Sequence, residues 1–112
     1  MNKLPTEYVD LPDIRIAYTQ YGNGQVLVLL HGNSESKSIF TEYQTKHFLM
    51  FHTFAVDSRG HGESKSTDDE YTIDQFSDDV INLCKTKRIN QAYVIGYSDG
   101  GNIAFFLAKK AP

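Results

Sequence analysis

The chain has 112 residues, a formal net charge of −3 and 40% apolar residues, which is enough for a packed core in one domain or a piece of one. Charges of both signs are mixed, which excludes a basic nucleic-acid stripe and a like-charged interaction tail. Cys84 is the single cysteine, so no intrachain disulfide forms, and a reducing compartment fits.

The opening residues Met1 to Glu7 lack the apolar core of a signal peptide. The longest aliphatic run, Val26 to Leu30, is far too short to cross a bilayer. These readings predict a soluble, cytoplasmic protein with no membrane or nucleic-acid partner. Thr6 to Leu11 and Ile14 to Gln20 alternate apolar and polar residues around the turn residues Pro12-Asp13, which predicts an antiparallel hairpin. After a second turn at Tyr21 to Gly24, Gln25 to Leu30 is continuously apolar, as in a parallel strand buried on both faces.

Ile39, Phe40, Tyr43, His47 and Met50 follow helical spacing, so a helix is predicted over Ser36 to Leu49. His52 to Val56 is a further strand, ending in the glycine-broken loop Asp57 to Gly62. Thr72 to Lys87 carries the clearest helix signal: Thr72 and Gln75 form a capping box, and Asp74, Lys85 and Lys87 match the helix dipole. Its predicted apolar face holds Ile73, Phe76, Val80, Leu83 and Cys84, which makes Cys84 a buried structural thiol. Gln91 to Tyr97 is the fifth strand. Asn102 to Lys109 is a last helix, apolar nearly all round and expected to be buried. Strands alternating with helices predict an α/β fold built on a mostly parallel sheet.

Gly96-Tyr97-Ser98-Asp99-Gly100 matches G-x-S-x-G between a predicted buried strand and a predicted helix. That context is what a nucleophile elbow requires: a sharp turn, flanking glycines that avoid a Cβ clash, and a serine at a helix N-terminus. Ser98 is the candidate nucleophile, and its competing reading is an ordinary helix-capping serine. An acyl-transfer oxyanion needs two fixed N–H donors. The backbone of Asp99 is the candidate for one, and that of Asn33, in His31-Gly32-Asn33 after the third strand, for the other. Asn33 as a plain turn residue is the alternative. His31 and Gly32 are read as support for the oxyanion loop, and Gly96 and Gly100 as support for the elbow.

His31-Gly32-Asn33, Asp57-Ser58-Arg59-Gly60-His61-Gly62-Glu63-Ser64 and Gly96-Tyr97-Ser98-Asp99-Gly100-Gly101 resemble three successive signatures of the α/β-hydrolase superfamily, in its order and spacing. The resemblance covers essentially the whole chain. It implies sheet order 1-2-4-3-5 and hydrolysis of an ester, amide, thioester or related bond through an acyl-enzyme on Ser98. An esterase on small acyl substrates, with no cofactor and no metal, is the expected function. In that family the acid and then the histidine follow the serine, after later strands, and nothing in these 112 residues matches them. The chain is therefore expected to be the N-terminal part of a single hydrolase domain, truncated after the elbow helix and inactive alone.

Under the resemblance His61 is a structural residue and not a replacement base. Asp57 and Arg59 are read as a structural pair that fixes the loop after the fourth strand, with a role for Asp57 as the triad acid as the alternative. The Asp99 side chain is read as a surface group, with attraction of a cationic substrate group as its alternative. The competing functions are a non-catalytic fragment or binding module, and a perhydrolase or carbon–carbon bond hydrolase. A dehalogenase is disfavoured because it needs a carboxylate where Ser98 stands. The fifth strand, left as an apolar edge, is expected to favour self-association.

Overall fold

Gln25–Leu30 has no polar side chain after its first residue, so both of its faces need cover. In the computed structural model, which describes residues 4–12, 14–32, 36–64, 72–97 and 99–110, this run is an interior strand, β3. The other strands are β1 (Glu7–Asp10), β2 (Arg15–Tyr21), β4 (Phe51–Val56) and β5 (Ala92–Gly96), and the sheet order is β1-β2-β4-β3-β5. The hairpin β1–β2 and the β2–β4 pair are antiparallel, while β3 runs parallel to both β4 and β5. This is the α/β fold and strand order that the sequence implied.

Alternation along the strands divides the core in two. Val28 and Leu30 of β3 join Ile16, Tyr18, Phe54 and Val56 on one face. That face is closed by Val80 and Leu83 of helix α1 (Ile73–Thr86) and by Ile103 and Leu107 of helix α2 (Asp99–Lys110). Leu27 and Leu29 point the other way, onto Phe40 and Ala55. The capping box of α1 is formed: the Gln75 N–H donates to Thr72 Oγ1 at 3.0 Å, and the Thr72 N–H to Gln75 Oε1 at 3.0 Å. Phe76 and Cys84 are partly buried against the core, as that face predicts, and burial pushes the Cys84 thiol pKa up. The Ile73 side chain lies outside the described residues.

Two helical expectations need correction. The segment predicted as one regular helix over Ser36 to Leu49 is a 3₁₀ turn, Lys37–Phe40, followed by a π turn, Tyr43–His47. Its buried residues are Lys37, Phe40 and Gln44, whereas Ile39, Tyr43 and Met50 of the expected apolar stripe are exposed. The cause is polar. The fully buried Gln44 amide donates to the Thr19 carbonyl and to Thr53 Oγ1, each at 3.1 Å, and accepts from Thr19 Oγ1 at 3.1 Å. Widening the turn brings that amide inward. The last helix, expected to be buried all round, presents Ala108 to solvent. It packs against α1, β5 and β3.

β5 is an edge strand, and its Tyr93 and Ile95 are exposed. No helix among the described residues is long and apolar enough to cross a membrane.

Replacing Gln44 with leucine would leave the Thr19 and Thr53 groups without their partner. The Gln44→Leu variant is therefore expected to lose about 1–3 kcal/mol of stability despite its added apolar surface. The midpoint of urea unfolding measures this; an equal or higher midpoint than wild type contradicts it.

Candidate active site

Because β3, β4 and β5 are parallel, the loops that follow them emerge at one edge of the sheet, the edge where α/β sheets bind ligands. These loops are His31-Gly32 onward, residues 57–64, and the turn from Gly96 into α2. They are the three stretches singled out by sequence.

The elbow is a backbone-to-backbone packing. The Tyr97 N–H donates to the Leu30 carbonyl at 3.0 Å, and the Gly100 N–H to the Tyr97 carbonyl at 2.9 Å. A Cβ on Gly100 would collide with the Leu30 carbonyl, and a Cβ on Gly96 with the Gly100 carbonyl. Any side chain at either position would push α2 off the end of β3. Asp99 opens α2, so its N–H is among the first-turn amides that a helix leaves without an intrahelical partner. Ser98 and Asn33 lie outside the described residues.

His31 is buried, and its ring joins two loops. The Ser58 N–H donates to its Nε2 at 3.0 Å, so Nε2 is the acceptor nitrogen. Nδ1 then carries the proton and donates to the Gly32 carbonyl at 2.6 Å. His31 thus fixes the start of the loop that leads to Asn33. His61 lies against it, with ring centroids 5.2 Å apart, and its Nδ1 is 3.1 Å from the Arg59 carbonyl.

The expected Asp57–Arg59 pair is not made. Asp57, with no exposure, accepts from the Lys37 N–H at 2.7 Å, from Lys37 Nζ at 2.8 Å and from the Glu63 N–H at 2.9 Å. Arg59 instead forms a buried fork onto Asp79 of α1, Nε to Oδ2 at 3.0 Å and Nη2 to Oδ1 at 2.8 Å. Asp57 finds its cation on the turn after β3, and Arg59 its carboxylate on α1. Sequence reasoning missed Lys37 and Asp79. A capped turn immediately after a glycine loop was the available signal for Lys37, but nothing local distinguishes a buried lysine from an exposed one.

Lys37 Nζ also reaches Glu63 Oε1 at 2.8 Å. Burial alone would lower the Lys37 pKa, but the hydrogen bonds to Asp57 and Glu63 outweigh it, and the net shift is upward. Glu63 moves the opposite way: hydrogen bonds from Lys37 and Thr6 and the Lys37 charge bring it down to about 2. Among the described residues, no group of three or more His, Cys, Asp or Glu side chains is placed to hold a metal ion.

Two outcomes follow. Gly100→Ala should lower stability by about 1–3 kcal/mol or more through forced overpacking, read as a drop in thermal midpoint; an unchanged midpoint would contradict the packing at Leu30. Glu63 stabilises the fold in its ionised form, so its contribution is full above its unfolded pKa and is lost as pH falls through about 2. The stability difference between wild type and Glu63→Gln should accordingly shrink between pH 5 and pH 2 in urea titrations. A pH-independent difference rules this out.

The sequence matches the alpha/beta hydrolase fold family over residues 25–112. It is 29% identical over 104 residues to 2-(acetamidomethylene)succinate hydrolase of Mesorhizobium japonicum, which spans 93% of this chain and 37% of that protein. Est816, a solved N-acyl homoserine lactone degrading enzyme, superposes with a TM-score of 0.86 at 33% identity, over 95% of this chain and 41% of its own. The N-acyl homoserine lactonase AidH, solved with N-butanoyl homoserine, superposes at 0.89 with 27% identity, over 97% of this chain and 42% of its own. The chain thus spans about two fifths of the length of these relatives.

Proposed function

This chain belongs to the α/β-hydrolase family, and we propose that the whole protein hydrolyses an acyl bond, an ester or lactone of a small acid, with Ser98 as nucleophile. The observation that carries this reading is the glycine packing at the elbow. Gly96 and Gly100 bracket Ser98 in sequence, and neither position has room for a Cβ. That close approach has no use for a simple helix cap, but it suits a serine held on a sharp strand-to-helix turn.

In the proposed reaction Ser98 Oγ bonds to the acyl carbon while its proton passes to a histidine base, which follows the serine in this family's chain order. The bond from carbon to the leaving oxygen breaks, and that oxygen takes the proton. Water then attacks the acyl-serine, releasing the acid and restoring the hydroxyl. The N–H groups of Asp99 and Asn33 are the proposed donors to the oxyanion. The named activities of the relatives, on N-acyl homoserine lactones and on 2-(acetamidomethylene)succinate, support small acyl compounds as the substrate class.

The test is covalent labelling. A fluorophosphonate probe is expected to add its phosphonyl mass to the tryptic peptide containing Ser98 in the full-length protein. Ser98→Ala should carry no label. Labelling that persists in Ser98→Ala, or none in wild type, would overturn the assignment.

A further inference from the structure

A second cluster of titratable side chains lies at the other end of the parallel strands from the candidate site, where β4 begins. Glu7 stands opposite Tyr18 in the β1–β2 register, and Gln20 opposite Phe54 in the β2–β4 register, so Glu7, Tyr18, Gln20 and His52 share the face that α1 covers. Gln20 Nε2 donates to both oxygens of Glu7, at 2.8 and 2.9 Å. A carboxylate only accepts, so Gln20 Oε1 is left for His52 and accepts from its Nε2 at 2.7 Å. The proton of neutral His52 is thereby fixed on Nε2, and acid adds the second proton at Nδ1. A further charge comes from α1. Its C-cap, Lys87, sets its ammonium 5.4 Å from the Tyr18 ring centre, and the Tyr18 hydroxyl donates to Glu7 Oε1 at 3.5 Å. Among the described residues, the charges that act on His52 are thus Lys87 from α1 and Glu7 from β1, with Tyr18 of β2 between them and uncharged Val26 of β3 alongside. The turn that carries Lys87 is strained, since Arg88 directly after it has φ 58°, a left-handed conformation that a side chain rarely adopts.

We propose that these residues form a pH-sensitive clasp: with His52 neutral, Lys87 holds the end of α1 on the N-terminal hairpin, and protonated His52 displaces it. Burial, and after it the Lys87 charge, hold the His52 imidazole below its ordinary pKa, against the pull of Glu7. That coupling is reciprocal. A seated ammonium that disfavours the proton is itself disfavoured by the proton, by the same factor. An imidazolium also offers Glu7 an alternative cation through Gln20. Lys87 is exposed and free to swing into water, and the strained turn at Arg88 then loses one of its restraints. A group whose pKa is depressed by folding stabilises the fold above its unfolded pKa, and that contribution is lost as pH falls through the folded one. The clasp is therefore closed above the ordinary imidazole range and opens as pH falls below it.

Hydrogen exchange of the full-length protein, read by mass spectrometry on peptides covering residues 84–91 and corrected for the intrinsic effect of pH, reports on the end of α1. Between about pH 8 and about pH 5 this exchange is expected to rise about threefold, the scale of one exposed charge contact. His52→Gln keeps an N–H donor and cannot become charged, so it should show no rise. Lys87→Met should exchange at the faster rate at both pH values. In that variant an NMR titration of the imidazole should find His52 protonating at higher pH than in wild type. Wild-type exchange that ignores pH overturns the proposal, as does a rise that survives in His52→Gln. If His52→Gln does not fold, Lys87→Met decides, since its side chain is exposed: a His52 titration that does not move in it is contrary. None of these readouts uses turnover or Ser98 labelling, so the clasp stands or falls separately from the hydrolytic reading.

Discussion

A carboxylate removed from water must be compensated by donors and by a positive charge, because an unpaired buried ion costs several kcal/mol. Asp57 is such a group, and its compensation organises the edge of the sheet where the three loops meet. Its donors come from two directions: Lys37 from beyond β3, and the Glu63 backbone from its own loop. The loop must curl back on the carboxylate to bring the Glu63 N–H round. It does so through Gly62 at φ +52°, where a Cβ would stand 2.5 Å from the Asp57 carboxylate. Only glycine combines that conformation with that proximity. The curl is locked by Ser64, whose hydroxyl donates to the Asp57 carbonyl at 2.7 Å and accepts from the Ala17 N–H of β2 at 2.8 Å.

From this node the connections run outward. Arg59 carries the loop to α1 through Asp79, Ser58 carries it to His31, and the Asp57 N–H donates to the Ala17 carbonyl at 3.0 Å. The loop after β4 therefore links the N-terminal hairpin, the first long helix and the loop after β3. The elbow joins the same assembly from the other side, since the Leu30 carbonyl that receives the Tyr97 N–H belongs to the residue before His31. Each contact is ordinary. They converge on two adjacent strand ends.

What could be read from the sequence follows from how local each signal is. The interior strand Gln25–Leu30 was legible to the residue, because an unbroken apolar run has few other homes, and α1 was legible because its cap and its stripe agree. The segment after β3 was misread because its inward residue at 44 is a glutamine. Its burial is decided by Thr19 and Thr53, nine and more positions away, and no periodicity of apolar residues reports that. Arg59 and Asp57 were paired on proximity in sequence, whereas loop geometry sends them to α1 and to the turn after β3. Lys37 was invisible for the same reason: a lysine's burial is written in its partners. The glycines of the elbow were legible because their spacing is itself the signal. The fold of Ser98 and Asn33 lies outside the described residues, and their roles rest on the motif and on the geometry of their neighbours.

A division of labour follows from the topology if Ser98 is the nucleophile. The proposed nucleophile and oxyanion donors follow in sequence the ends of two strands, β3 and β5, that pair in parallel. Stabilising a developing oxyanion is the task most sensitive to small displacements, and donors fixed in advance avoid reorganisation during the reaction. Proton transfer tolerates more adjustment, since a base need only come within hydrogen-bond reach of the hydroxyl. The loops after β3, β4 and β5 leave one edge of the sheet, where donors fixed in advance would serve the proposed reaction. The ion pairs of Lys37 with Asp57 and Arg59 with Asp79 tie the β4 loop to the turn after β3 and to α1.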